Sequence, residues 1–429
     1  MQLTWKQQRD RASRIWLYGL FILLPWTVVF GHKGVAPWLL LASLPAFARG
    51  DFWQAAFGEL FDKPDIRNPF FAGMLSILFF CAWIFVSGFW SPEHHYTLFL
   101  WVLAPVLLGG SVVWYCLNLP QIWTYRLATA FSLAIAGGMA VLAFEGVTDG
   151  LLRSILPPND PSADRSRDII ALGRGVTALA PALFPAAIIV SMIWNRAAAL
   201  GVLALGVIAA FSNDVAANAV AIAAGLVGIV ITFKAPKTSF VVATSGLIFL
   251  LIVTPFAAAL LPIDAIFSSL ETHVPEAWQS QFSSWFHRLA IWDSVAGRVD
   301  DGLPFGFGAD YARMWTQSAP MIEVPGARAP LSVMPVHPHN VFLQIWLELG
   351  LPGVLSLGLF FYFGSAVLRR AALPTPITAV SVGVLAAISV SLMVEGSLWQ
   401  VWRLAAMALA GMGAALSYSL HQQWKVKTR

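Results

Sequence analysis

Apolar residues come in long runs along almost the whole chain, near 15–31, 35–49, 69–90, 95–117, 122–145, 174–194, 197–213, 215–233, 238–262, 351–368, 376–396 and 402–420. Most approach the roughly 20 residues with which a helix crosses a ~30 Å hydrocarbon core, and none shows the short alternation of a barrel strand. The pattern predicts an all-α polytopic membrane protein of about 12 transmembrane helices, of which the second and seventh are short enough to lie half-buried. Residues 1–262 hold the first nine spans with a short polar loop at 146–173, 263–338 form a large loop, and 339–429 hold a motif helix and the last three spans. In the large loop, Trp278, Phe282, Trp285, Leu289 and Trp292 recur at helical spacing, so 276–297 reads as an amphipathic helix lying on the membrane or on the bundle. Loops beyond about 15 residues in a compact protein usually carry function.

Composition supports this class. Of 429 residues 58% are hydrophobic and 11% charged, where a soluble domain has roughly 25% charged. The net charge of +4 is spread singly beside apolar runs, which excludes the basic stripe of a nucleic-acid binder. Cys81 and Cys116 lie inside apolar runs and read as packing residues. The basic start (Lys6, Arg9, Arg11, Arg14) ahead of an apolar run imitates a secretory signal, but with so many later spans it reads as an uncleaved first helix. By the positive-inside rule both termini are cytoplasmic, and 146–173 and 263–338 face outward, which in a bacterial inner membrane is the periplasm.

Candidate chemistry concentrates around the large loop. His337, Pro338, His339 and Asn340 precede an apolar stretch that ends in Gly350, Leu351, Pro352 and Gly353. If Pro338 opens a helix, His339 sits in its first turn on the face of Leu343, Trp346 and Gly350, where the positive end of the dipole favours a neutral imidazole able to act as a base. A capping or interfacial histidine is the plainer alternative. Arg174, in Gly173-Arg174-Gly175 at the edge of a span, either faces a polar partner or snorkels. Arg288 flanks the stripe of the loop helix and could equally be solvated. Gly302 to Asp310 (Gly302, Gly306, Gly308) forms a glycine-rich turn without a nucleotide-binding context. There is no Asp-x-Asp pair, HExxH, Gly-x-Ser-x-Gly elbow or P-loop, so neither metal nor nucleotide chemistry has support, and no cofactor is expected.

His339-Asn340, nine residues, Gly350, two residues and Gly353, at the end of a large loop between late spans, resembles the O-antigen ligases of the bacterial inner membrane. The stretch from Arg288 and Trp292 through Pro304, Gly306 and Gly308 looks like the same family's loop, and Arg174 stands where the family uses an arginine before a mid-chain helix. The specific motifs cover about 286–353, while the topology extends over the whole chain. One departure is Ser212-Asn213-Asp214, where many relatives have Ser-Arg.

The resemblance implies a metal- and ATP-independent glycosyltransferase of lipopolysaccharide assembly. Its donor would be a glycan on undecaprenyl diphosphate, its acceptor a hydroxyl of lipid A-core oligosaccharide, and its surroundings membrane lipid. His339 would be the base and Arg174 and Arg288 the diphosphate clamp, with His337, Asn340, Trp292 and Asp310 as substrate-binding candidates. O-antigen polymerases and O-oligosaccharyltransferases have similar loops, and the end of the chain soon after its last span favours the ligase. A transporter of lipid-linked glycan would show inverted repeats and broken mid-membrane helices, and neither is evident. The orientation predicts that a cysteine placed at Ser318 reacts with an impermeant maleimide in intact spheroplasts. Labelling only after permeabilisation overturns it.

Overall fold

The structure is a computed structural model that describes residues 4–61, 65–158, 166–213 and 215–427. Lys63, Asp214 and residues 159–165 of the polar loop lie outside the described residues. The chain opens with α1 (Trp5–Phe30), started by a capping box in which Thr4 and Gln7 satisfy each other's backbone N–H groups. It continues through α2 (Val35–Phe47), α3 (Gly50–Phe61), α4 (Pro69–Ser87), α5 (Phe99–Leu117), α6 (Gln121–Val147) and the single turn α7 (Leu151–Ile155). The middle of the chain forms α8 (Ser166–Ile193), α9 (Arg196–Ser212), α10 (Ala216–Lys234) and α11 (Ser239–Ala259). The large loop folds into α12 (Ile263–His273), α13 (Glu276–Gly302), α14 (Tyr311–Trp315) and a two-stranded ribbon, β1 (Met321–Ile322) antiparallel to β2 (Leu331–Ser332). Then follow α15 (Val341–Arg370), α16 (Thr375–Val394) and α17 (Val401–Lys427).

Among the described residues ten helices are long and apolar enough to span a bilayer, so the chain is a polytopic all-α membrane protein. The two short runs account for the difference from twelve: α2 has 13 residues and α9 has 17, lengths that fall below a full crossing. The core has two main parts. One gathers α1, α2, α6, α8, α9 and α17 around residues such as Phe21, Phe131 and Phe184. The other joins α4, α11, α13 and α15 to the loop residues Ala309, Ala312 and Met334. A small third cluster seats α12 and the ribbon on α13 through Ile263, Phe267, Ala290 and Val324.

The expected amphipathic helix is present as α13, and it is longer than the aromatic stripe alone suggests. Trp278 and Phe282 stay exposed, whereas Ile291, Val295 and Val299 are buried against the bundle. Its second half therefore lies on protein.

The expected motif helix and tenth span are one element. α15 runs 30 residues through a bend at Gly350, whose φ of 58° and ψ of −155° are open essentially to glycine alone. Pro352 lacks an N–H, and the bend strips the carbonyls of Leu347, Glu348 and Leu349 of helical donors. Each finds another. The Phe307 N–H donates to Leu347 O (2.9 Å), the Gly308 N–H to Glu348 O (2.9 Å), and the Trp83 indole to Leu349 O (2.8 Å). The Leu351 N–H turns outward to Pro304 O at 2.8 Å. The glycine-rich turn is thus a backbone splint for a bent helix. Gly306 (φ 78°) allows it, because a Cβ there would meet the Glu348 carbonyl at 2.5 Å.

Gly306→Ala and Gly350→Ala are expected to destabilise the protein by roughly 2 kcal/mol or more, through strain at positive φ together with backbone overlap. Gly364→Ala, which points into open space, serves as control. Thermal melts in detergent check this, and a Gly350→Ala protein that melts with wild type removes the splint argument.

Candidate active site

Asn340 caps α15: its Oδ1 accepts from the N–H groups of Phe342 (3.0 Å) and Leu343 (3.2 Å). This shifts the helix start past the position expected from Pro338. His339 lies just outside the helix, at a left-handed φ of 55°, and does not share the face of Leu343, Trp346 and Gly350. Its backbone N–H points to His337 Nδ1 (3.2 Å) and the two imidazoles lie 4.4 Å apart. Burial, then His337, then the charge of Arg288 and further cations hold the His339 pKa down to about 2. The imidazole is neutral as expected, but mainly through burial and neighbouring cations.

His337 is also neutral, its pKa pushed down to about 3 by burial and then by Arg403, Arg174, Arg313 and Arg288. Arg174 and Arg288, far apart in sequence, therefore act on one imidazole. The Arg288 guanidinium donates to Ser284 O (2.9 Å), stacks 5.3 Å over Trp285 and is drawn below its usual range by burial, with the Glu395 carboxylate opposing. Arg174 is exposed beside the buried glycines 173 and 175. Trp292 stands one turn after Arg288 on α13, and His287, just before Arg288, binds Ser332 O at 2.8 Å. Asp310 is placed differently: buried at φ 64°, its carboxylate meets His95 Nδ1 (2.9 Å) and Arg313 Nε (2.8 Å), while its N–H donates to Glu348. It braces the loop on Glu348, which also accepts from Ala312 N–H, Gln344 and the Trp399 indole.

Sequence reasoning missed a buried polar chain that joins the histidines to α8. Gln400 presents its amide nitrogen to His337 Nε2 (3.4 Å) because its oxygen accepts from Arg403 Nε. Arg403, 4% exposed, pairs with Glu395 at 3.2 Å and donates to Ser391 Oγ at 2.6 Å. The Thr177 hydroxyl lies between Asn218 Oδ1 (2.8 Å) and Glu395 (3.2 Å), with one proton to give to either, and the Asn218 amide donates to Gly173 O (2.9 Å) next to Arg174. His32 packs edge-on to Trp402 at 4.6 Å and is held down to about 4 by burial, Arg174, Lys33 and Arg403. The signal for Glu395 and Arg403 was the cost of a charge beside a span.

Donors exceed acceptors here. A neutral imidazole has one acceptor nitrogen, yet the His339 N–H and the Gln400 amide both aim at His337. Arg288 Nε, Trp292 Nε1, His339 Nδ1, Asn340 Nδ2 and His32 Nδ1 are buried with no partner. Buried unpaired polar atoms are few in folded proteins, and such a concentration beside two arginines suits an acceptor-rich anionic ligand.

The buried pair predicts that Arg403→Gln and Glu395→Gln each lose about 3–5 kcal/mol, whereas the double variant loses much less than their sum. Additive losses in melting experiments remove the coupling.

Residues 169–358 match the family model described as O-antigen ligase. Proteins that carry the name polysaccharide ligase in Rickettsia typhi and Rickettsia prowazekii are 41% identical to this chain over 75 residues, a stretch covering 17% of this chain and 17% of each relative. The matched residues run from α8 into the bent helix α15 and include His339, Arg288 and Arg174, so this segment is similar to the O-antigen ligase family.

Proposed function

We propose that the protein transfers a preassembled glycan from undecaprenyl diphosphate to a hydroxyl of lipid A-core oligosaccharide, at the periplasmic face of a bacterial inner membrane. The observation that carries this reading is the convergence of Arg174 and Arg288 on the neutral His337–His339 pair within the segment matched to the family. His339 takes the proton of the acceptor hydroxyl while that oxygen bonds to the anomeric carbon. The bond from that carbon to the diphosphate oxygen breaks, and the lipid diphosphate leaves with the bonding pair. Arg288 and Arg174 offset the charge that grows on the leaving oxygen. A diphosphate needs no protonation to depart, so no general acid is assigned, and a single displacement inverts the anomeric centre. Asn340 and Trp292 supply unpaired donors that hold donor or acceptor, and His337 lines the same place through its contacts to the His339 N–H and Gln400.

The test is transfer by purified protein from lipid-linked glycan to lipid A-core, with and without chelator. We expect chelator-insensitive product and a fall of ~10² to 10⁴ in turnover for His339→Ala. Arg174→Ala and Arg288→Ala should lose activity mainly in donor use, by far more than Lys33→Ala, since an unpaired desolvated charge costs on the order of 2–5 kcal/mol. Wild-type turnover by His339→Ala would falsify the base assignment, and transfer to a second lipid-linked glycan in place of lipid A-core overturns the acceptor.

The pH profile tests the electrostatics. A base is lost as pH falls through its pKa, and in the free protein that point lies at about 2. A bound diphosphate cancels nearby positive charge and raises it. Hence kcat/KM for donor should show no histidine limb between about pH 5 and 7, while kcat should fall below about pH 6. An acid limb near 6.5 in kcat/KM contradicts a buried, cation-flanked imidazole.

A further inference from the structure

On the other side of the glycine-rich turn lies a cavity of about 660 Å³, within the roughly 300–1,000 Å³ of ligand pockets. Trp83, Trp90, Phe305, Phe307 and Tyr311 line it, and Asp301 is its one charged side chain. Two of these rings are locked. The Trp83 indole donates to Leu349 O (2.8 Å) and the Trp90 indole to Gly306 O (3.1 Å), so their faces are held while their polar edges are satisfied. Trp83 lies 5.5 Å from Trp90 and 5.9 Å from Phe305, both tilted, which leaves ring faces turned around one space instead of stacked shut. Phe305 is 56% exposed, and the Asp301 side chain is 67% exposed with only a loose 3.8 Å contact to Arg298.

We propose that this cavity is a sugar-binding subsite, which takes a pyranose ring of a glycan substrate against the faces of Trp83, Trp90 and Phe305 with a sugar hydroxyl donating to Asp301. One face of a pyranose is a patch of C–H groups with slight positive charge, matched to the negative face of an aromatic ring, while its rim of hydroxyls needs acceptors such as a carboxylate. A hydrocarbon chain fits less well, because it would strip water from Asp301 and return no hydrogen bond. An interfacial aromatic belt would spread its rings along the membrane surface, not fold them round one volume. The subsite also borders the catalytic element: Trp83 and Gly306 hold the bend of α15, whose amino end carries the histidines. A sugar bound there is fixed relative to His339 through backbone contacts.

The proposal rests on the reading that the substrate is a glycan. Its test uses the full chain in nanodiscs, with tryptophan fluorescence read during titration by lipid-free core oligosaccharide, by lipid-free repeat glycan and by undecaprenyl phosphate. Phe305→Ala removes a ring whose side chain makes no hydrogen bond, Phe305→Trp restores a face, and Asp301→Asn removes the charge. One of the two glycans is expected to bind, and which one identifies the substrate served. Its affinity should fall on the order of ten-fold in Phe305→Ala, recover in Phe305→Trp and fall several-fold in Asp301→Asn, with the matching KM raised and kcat little changed. Binding of neither glycan, glycan binding indifferent to Phe305→Ala, or a Phe305-dependent response to undecaprenyl phosphate alone overturns the subsite. If free glycan binds in a Phe305-dependent way but the protein transfers nothing, the transferase reading fails and the subsite stands.

Discussion

The carbonyls that α15 gives up at Gly350 set the terms for the rest of the site. A long helix in a membrane has no water with which to satisfy a broken turn, so a bend survives only where other protein groups supply donors. Here the donors come from two places distant in sequence, the 304–308 turn at the end of α13 and Trp83 in the last turn of α4. One bend therefore fixes three elements at once. Glu348, one residue pair before it, extends the grip by collecting the Asp310 and Ala312 N–H groups, Gln344 and Trp399. Its four donors make burial of a carboxylate tolerable.

Fixing α15 in this way fixes its amino end, and with it the cap at Asn340 and the left-handed His339. The histidines then sit where several positive groups converge and few acceptors are available. Such a place is costly when empty and favourable when it holds an anion, which on the proposed mechanism is the condition for binding energy to be spent on a leaving diphosphate instead of on protein contacts. The same cations keep both imidazoles neutral. On the proposed mechanism, a site that repels protons until an anionic ligand arrives would strengthen its base at the moment the base is needed.

Much of the fold was legible because hydrophobic length is a strong signal in lipid: nearly every apolar run became a helix, and the two short ones became α2 and α9. The His-Asn and Gly-x-x-Gly pattern marks the place where the structure puts a helix cap and a bend. What stayed hidden were properties of the third dimension. Asn340 is a good cap, but Pro338 two residues earlier is an equally ordinary helix opener, so His339 was expected inside the first turn instead of just outside the helix. Gly306 read as a loose turn because its partner, the Glu348 backbone, lies 42 residues on. Glu395 and Arg403 looked like single charges beside spans, and their pairing through Ser391, Gln400 and Thr177 depends on how α16 and α17 meet α8.

That last network joins the histidines to the backbone beside Arg174, and its chemistry explains why it is buried. Arg403 pairs with Glu395 and donates to the Gln400 oxygen, which holds Gln400 with its oxygen inward and its amide toward His337. An amide held that way makes His337 accept at Nε2, which places its proton on Nδ1, the nitrogen that the His339 N–H also approaches. The two demands conflict, so the His339 backbone amide is left as a donor in search of an acceptor. At the far end, Thr177 and Asn218 tie the same pair to Gly173 and so to the backbone that carries Arg174. On the proposed mechanism, a ligand that accepts from the His339 amide at one end and meets the exposed Arg174 guanidinium at the other would touch both ends of one buried chain, and this would join recognition at α8 to the histidine at α15.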